Sequence, residues 1–187
     1  PFCFAEYVLA QRVDRFTVIG ASLTDGFYGL HEDIDKFYAA ASLTGICDAL
    51  LFGGIVNEEL FLRAVNALRE MCDGDEAEAL ISFFLRALDL SGYALDFTAC
   101  SVCGAPLAGK TFFDLSGGSF TCGECAVGAG VSESTLEVLK KCAGAPFDAG
   151  KISPDGKKRA LKLLYAYFRA KTDEKVNALS EYLAMLQ

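Results

Sequence analysis

Two periods of apolar and polar residues divide the chain. From Phe2 to Leu9 and again from Phe16 to Leu23, β-branched and aromatic residues dominate, and the polar run from Gln11 to Arg15 separates them. That pattern predicts two strands joined by a turn. An isolated hairpin is marginal in water, so the pair is expected to be the end of a larger sheet or to pack against helices, with an exposed open edge. After Asp25-Gly26 the spacing lengthens to about one apolar position per helical turn.

A first helix is predicted from Ile34 to Leu51, burying Ile34, Phe37, Tyr38, Ala41, Ile46 and Leu50, with Glu32, Asp33 and Asp35 at its amino end and Gly53-Gly54 ending it. Asn57 is a suitable cap for a second helix whose stripe is Leu60, Phe61, Ala64, Leu68 and Met71 and which stops before Asp73-Gly74. A third, from Asp75 to Ser91, is apolar nearly all round through Leu80, Ile81, Phe83, Phe84, Leu85, Leu88 and Leu90, which predicts the central helix of the body. Gly92 closes it, and Tyr93 to Phe97 leads away. Phe112, Phe113, Leu115 and Phe120 then supply bulk that would dock a loop back on the helices, and Gly117-Gly118 predicts a turn between two short strands. The glycines of Gly128-Ala129-Gly130 read as a turn. Ser132 caps a fourth helix to Cys142, ended by Gly144 and Pro146. A fifth starts at Ser153-Pro154-Asp155, with a capping hydroxyl and a proline where its missing N–H costs nothing, and buries Leu161, Leu164, Tyr165 and Phe168. A last short helix is predicted near Ser180, with Leu183 and Leu186 inward.

The loop after the third helix holds the chain's most specific pattern, Cys100-Ser-Val-Cys103 and Cys122-Gly-Glu-Cys125 with eighteen residues between the pairs. Two residues between thiols let both sulfurs face one point, and a connection of this length brings the second pair opposite the first, as in a tetrahedral four-cysteine zinc site. Gly104, Gly123 and Ala126 are small residues where the knuckles turn tightly. With four thiolate ligands no coordination position remains for water or substrate, so such a zinc is structural. The competing reading is two disulfides or unrelated thiols. Cys3, Cys47, Cys72 and Cys142 are scattered singly, like the small buried hydrophobes of a reducing compartment.

Among 187 residues, 52 % are hydrophobic and 22 % charged, enough for one large or two small packed domains. No run of eighteen apolar residues spans a membrane, and no basic leader with an apolar core opens the chain, so a cytoplasmic location is expected. The net charge is −8, but unevenly spread: residues 1–99 carry 16 acids and 6 bases, residues 100–187 carry 9 acids and 11 bases. Between Lys140 and Lys175 there are 10 bases and 4 acids, which suits either an acidic partner or a solvated helix face. The only histidine, His31, lies beside Glu32 and Asp33 at a helix entry, and without it no Ser-His-Asp or Cys-His pairing can be assembled. No phosphate-binding glycine motif is present, and the paired carboxylates Glu58-Glu59 and Asp73 with Asp75 sit at helix starts and loops, where acids belong. An enzyme is not expected.

The order of these features resembles a known family. The strands from Pro1-Phe2, the run Phe84-Leu85-Arg86-Ala87-Leu88-Asp89-Leu90-Ser91-Gly92-Tyr93, the two cysteine pairs around Phe112 to Gly118, and the closing Leu179-Ser180-Glu181-Tyr182-Leu183 are similar to the bacterial recombination and repair protein RecO family. The resemblance implies a mainly α fold: a helical carboxyl-terminal domain over 30–187, with its four-cysteine zinc module at 97–130, preceded at 1–29 by the last strands of an incomplete OB-fold. It therefore implies a fragment. It also implies one structural Zn2+ on Cys100, Cys103, Cys122 and Cys125. The implied role is that of a bacterial, nucleoid-associated recombination mediator that binds single-stranded DNA, pairs with RecR, engages the acidic tail of the single-stranded-DNA-binding protein, anneals strands and helps RecA load. Because the family places much of its DNA binding on the OB-fold, weak DNA binding is expected of this acidic chain. Lys157, Lys158, Arg159 and Lys162, beside an aliphatic stripe, are the expected receptor for an acidic peptide ending in apolar residues. Two alternatives stay open: a zinc-ribbon nucleic-acid module acting alone, and a metal-stabilised scaffold that binds proteins only.

Overall fold

The computed structural model describes residues 1–51, 57–153 and 155–186. The sequence features at Gly53-Gly54 and Pro154 lie outside the described residues.

The chain opens with an antiparallel hairpin, β1 (Phe4–Arg12) and β2 (Arg15–Asp25). Arg12 pairs with Arg15, so the turn is only Val13-Asp14, with Val13 at φ 54, a conformation uncommon for a β-branched residue. Tyr7, Val8, Leu9, Phe16, Val18, Ile19 and Leu23 are all exposed. The hairpin touches the helices mainly at its base. There the Phe2 and Phe37 rings meet edge to face at 5.3 Å, Phe4 lies 5.9 Å from Phe61, and Asp25 Oδ2 accepts from Arg69 Nε at 3.0 Å.

Six helices follow among the described residues: α1 (Ile34–Leu50), α2 (Glu58–Asp73), α3 (Glu76–Leu90), α4 (Glu133–Cys142), α5 (Asp155–Thr172) and α6 (Asn177–Met185). Their starts follow local chemistry. Asp33, Asn57, Asp75 and Ser132 each occupy the cap position, and their side chains accept backbone N–H bonds from the first turn. At the carboxyl end of α3, Tyr93 N–H donates to Leu88 O at 2.8 Å and Gly92 N–H to Asp89 O at 3.0 Å, closing the helix with two reversed bonds. α3 is the central helix, packed against α1, α2, α4 and α5, with Leu80, Ile81, Phe84, Ala87 and Leu88 buried. Phe84 meets Phe168 of α5 at 5.5 Å between ring centroids.

The buried faces differ from expectation in three places. In α1 the core residues are Ala39, Ala40, Leu43 and Ile46, while Ile34 is 60 % exposed, because apolar residues surround this helix and no single stripe is legible. In α2, Phe61 is half exposed, turned toward the hairpin base, and Val65 and Ala67 are buried instead. The last helix begins three residues before Ser180 and buries Leu179 and Tyr182, with Leu183 and Leu186 only partly covered. Its entry is fixed by Tyr165, whose hydroxyl donates to Val176 O and accepts from Val176 N–H, both at 3.1 Å. Ser153 links α4 to α5. Its hydroxyl meets Ser134 Oγ at 3.0 Å and accepts from Arg159 at 3.1 Å.

Between α3 and α4 the chain forms a three-stranded antiparallel sheet in the order β4-β3-β5, from β3 (Thr111–Asp114), β4 (Ser119–Cys122) and β5 (Ala129–Val131). β3 and β4 are the two expected strands. Of Gly128-Ala129-Gly130, read from sequence as a turn, Ala129 and Gly130 belong to the strand β5 instead. The turn proper is at Gly128 (φ 94), where any Cβ would run into Phe113 O.

Candidate metal centre and basic groove

The cysteine pairs sit in two tight backbone knuckles. In the first, Cys100 N–H donates to Ala105 O at 2.7 Å and Gly104 N–H to Cys100 O at 2.9 Å, while Ser101 N–H reaches Phe120 O at 2.9 Å and ties the knuckle to β4. In the second, Cys122 ends β4, Ala126 N–H returns to Cys122 O at 2.9 Å, and Ala126 itself takes φ 43. The four sulfurs of Cys100, Cys103, Cys122 and Cys125 all lie within 4.8 Å of one another. Cys103 and Cys122 Sγ are 3.7 Å apart. A metal with bonds of about 2.3 Å to four tetrahedral sulfurs requires edges of about 3.8 Å, whereas a disulfide requires about 2.05 Å. The donor set therefore fits one tetrahedral ion and is not made of bonded pairs.

Electrostatics divides the four thiols. The N–H groups of Cys103 and Cys122 point at Cys100 and pull its thiol down to about 6, and those of Cys125 and Glu124 lower Cys122. Cys125 is pushed up to about 12, first by the neighbouring Cys103 thiol and then by burial. Against the pull of the Ala105 N–H, the Cys100 and Cys122 thiols raise Cys103 as well, so two thiols favour the thiolate and two resist it, and a central cation would relieve that resistance. With every ligand supplied by protein, such an ion holds chain rather than substrate.

The sheet carries the centre back to the helices. Phe120 is fully buried and Phe113 nearly so; Phe120 lies 6.0 Å from Phe97 and 4.7 Å from Phe113, and Phe113 stands edge to face with Tyr167 of α5 at 5.6 Å. Phe112 is half-buried and Leu115 is exposed at the rim. Buried Thr121 clamps the loop after the second knuckle, its hydroxyl accepting from Val127 N–H at 3.0 Å and donating to Val127 O at 3.3 Å.

The basic residues singled out from sequence divide into two pairs. Lys157 bridges Asp75 and Glu78, the latter at 3.0 Å, and Lys158 donates to the carbonyl of Leu186. Burial works against the Asp75 and Glu78 carboxylates, yet Lys157 and Lys141 hold both below the usual carboxylate range. Arg159 and Lys162 instead border a cavity of about 360 Å³ between α5 and the sheet, lined by Phe113, Leu115, Val131, Leu163 and Ala166. Arg159 is oriented by Thr135 Oγ1 (3.3 Å), Ser153 Oγ (3.1 Å) and Asp155 (3.4 Å); Lys162 is exposed and forms no ion pair among the described residues. The apolar groove was not legible in the sequence, because its two walls are separated by about thirty residues and one wall is the missed strand β5. Of the other cysteines, Cys47, Cys72 and Cys142 are partly buried, with Cys47 and Cys142 pushed up to about 12 by burial, whereas Cys3 is exposed and not the buried hydrophobe expected. His31 caps a short 3-10 turn at Tyr28–Leu30 and stands 6.1 Å from the Phe2 ring.

These features define a helical domain that carries a four-cysteine cluster able to hold a metal ion. The model of the family described as Recombination protein O C terminal matches residues 31–180, and the chain belongs to that family. It is 34 % identical over 145 residues to the DNA repair protein RecO of Desulforamulus reducens, covering 75 % of this chain and 57 % of that protein. With the DNA repair protein RecO of Pelotomaculum thermopropionicum the identity is 31 % over 144 residues, covering 75 % of this chain and 56 % of the relative. With that of Rubrobacter xylanophilus it is 30 % over 170 residues, covering 87 % and 68 %. The chain thus spans little more than half the length of the first two. No helix among the described residues is long and apolar enough to cross a membrane.

Proposed function

We propose that this chain is the protein-binding, metal-stabilised part of a recombination mediator in DNA repair, acting without catalysis. The observation that carries this reading is the family match over 31–180 together with the clustered sulfurs inside it. In this reading the ion is one structural Zn2+ on Cys100, Cys103, Cys122 and Cys125, since a closed set of four thiolates suits zinc best. The hairpin is the last ribbon of an OB-fold, which accounts for its apolar residues standing in solvent.

Partners are RecR, single-stranded DNA bound weakly by this piece, and the acidic tail of the single-stranded-DNA-binding protein, through which strand annealing and RecA loading would be served. The tail docks in the groove beside Arg159 and Lys162, its carboxylates on the cations and its apolar end among Phe113, Val131 and Leu163. Lys157 and Lys158 serve the fold instead. Fluorescence anisotropy with an acidic tail peptide tests this. Lys162→Glu weakens binding about tenfold or more, corresponding to loss of a charge-assisted contact, and Lys158→Glu changes it little; equal effects of the two substitutions would remove the groove assignment.

A second reading is a scaffold that binds proteins but not nucleic acid. Engagement of Lys157 by Asp75 and Glu78, and of Arg159 by Asp155, favours it, because these cations are already partly neutralised. Oligonucleotide titration at two salt concentrations separates the readings, since DNA binding brings a steep salt dependence and the scaffold brings none.

A further inference from the structure

We infer that the metal centre and the groove are thermodynamically coupled: metal binding builds one wall of the groove, so an acidic peptide seated there tightens the metal, and loss of the metal releases the peptide. The inference rests on the groove reading given above and concerns its regulation.

The two walls differ in what holds them. The α5 wall, with Arg159, Lys162, Leu163 and Ala166, belongs to a helix anchored by fully buried Leu161, Leu164 and Phe168. The other wall is the sheet, contributing Phe113 and Leu115 from β3 and its end and Ala129 to Val131 from β5. Its strands have four, four and three residues, too few to persist without outside support. Part of that support is Phe120 against Phe97 and Phe113 against Tyr167; the rest converges on the sulfurs. Cys122 is the terminal residue of β4 and pairs with Thr111 of β3. Cys125 is separated from β5 by only Ala126, Val127 and Gly128, and the Thr121 hydroxyl holds Val127 from both sides. The first knuckle is pinned to the same strand through Ser101 N–H and Phe120 O. An ion joining the sulfurs therefore fixes the register of β4, β3 and β5, and with it the wall that faces Lys162. Charge complementarity selects the occupant: in a chain of net charge −8, this apolar groove carries two cations at its edge, which suits an acidic peptide with an apolar end.

Coupling is reciprocal, so it can be read without requiring the metal-free chain to stay folded. The zinc-loaded chain is titrated with a chelator of known zinc affinity, with and without a saturating fluorescein-labelled Asp-Asp-Asp-Asp-Leu-Phe peptide whose binding is followed by anisotropy. The expected result is zinc bound about tenfold more tightly when the peptide is present, with the peptide signal falling as zinc is withdrawn, and no peptide effect on the zinc competition in Lys162→Glu. Peptide binding with an unchanged zinc competition overturns the coupling and leaves the groove reading standing. Failure of the zinc-loaded chain to bind the peptide overturns the groove reading and the coupling with it.

Discussion

In the helical body one apolar helix, α3, is covered by four others and by the side chains they bury, whereas in the four-cysteine module the longest strand has four residues. The body contains Leu80, Ile81, Phe84, Leu161 and Phe168 at zero exposure and has a core of its own. The module buries Phe97, Leu107, Phe113 and Phe120, and otherwise relies on four sulfurs and on leaning against Tyr167. Hydrophobic burial grows with the number of residues that share it; a coordination bond does not, which is why a loop of this size uses thiolates.

Substitutions that touch one region and spare the other sharpen this contrast. The largest effect is expected for Cys122→Ser, which removes one of the four proposed zinc ligands. Structural zinc contributes on the order of 10 kcal/mol to small modules, so hydrogen exchange should show protection lost across 98–131 and retained in α1 to α3. Phe84→Ala strikes the other region and costs about 3–5 kcal/mol in urea denaturation, with zinc content unchanged in the folded protein. Gly128→Ala falls inside the module. Its φ of 94 and the close approach of Phe113 O make any side chain strained there, at about 1–3 kcal/mol, and the readout is weakened zinc affinity with normal helix content by circular dichroism. Ser132→Ala, which deletes the side-chain acceptor for Thr135 N–H at the start of α4, costs about 1 kcal/mol in the thermal midpoint and marks the small end of the scale.

Legibility from sequence followed the same divide. Caps at Asn57 and Ser132 and the start of α3 at Asp75 were readable, because a short polar side chain precedes an apolar run there and that chemistry is local. The cysteine spacing was readable for the same reason. What depended on distant neighbours was not. Ile34 and Phe61 look like core residues, yet Ile34 stands in solvent and Phe61 is turned toward the hairpin base. Ala129 and Gly130 look like part of a turn until β3 offers them a partner. Lys157 and Lys162 sit one helical stretch apart, but only tertiary packing gives Asp75 and Glu78 to the first and leaves the second at the groove.

Measuring metal and thiols together in reduced, purified chain decides whether four thiolates clamp one ion and thereby order the module. The account predicts about one zinc per chain by mass spectrometry, released by a chelator in step with the reactivity of the four module thiols. Metal-free protein that keeps the β4-β3-β5 sheet protected from exchange, or sulfurs found joined to one another, would contradict it.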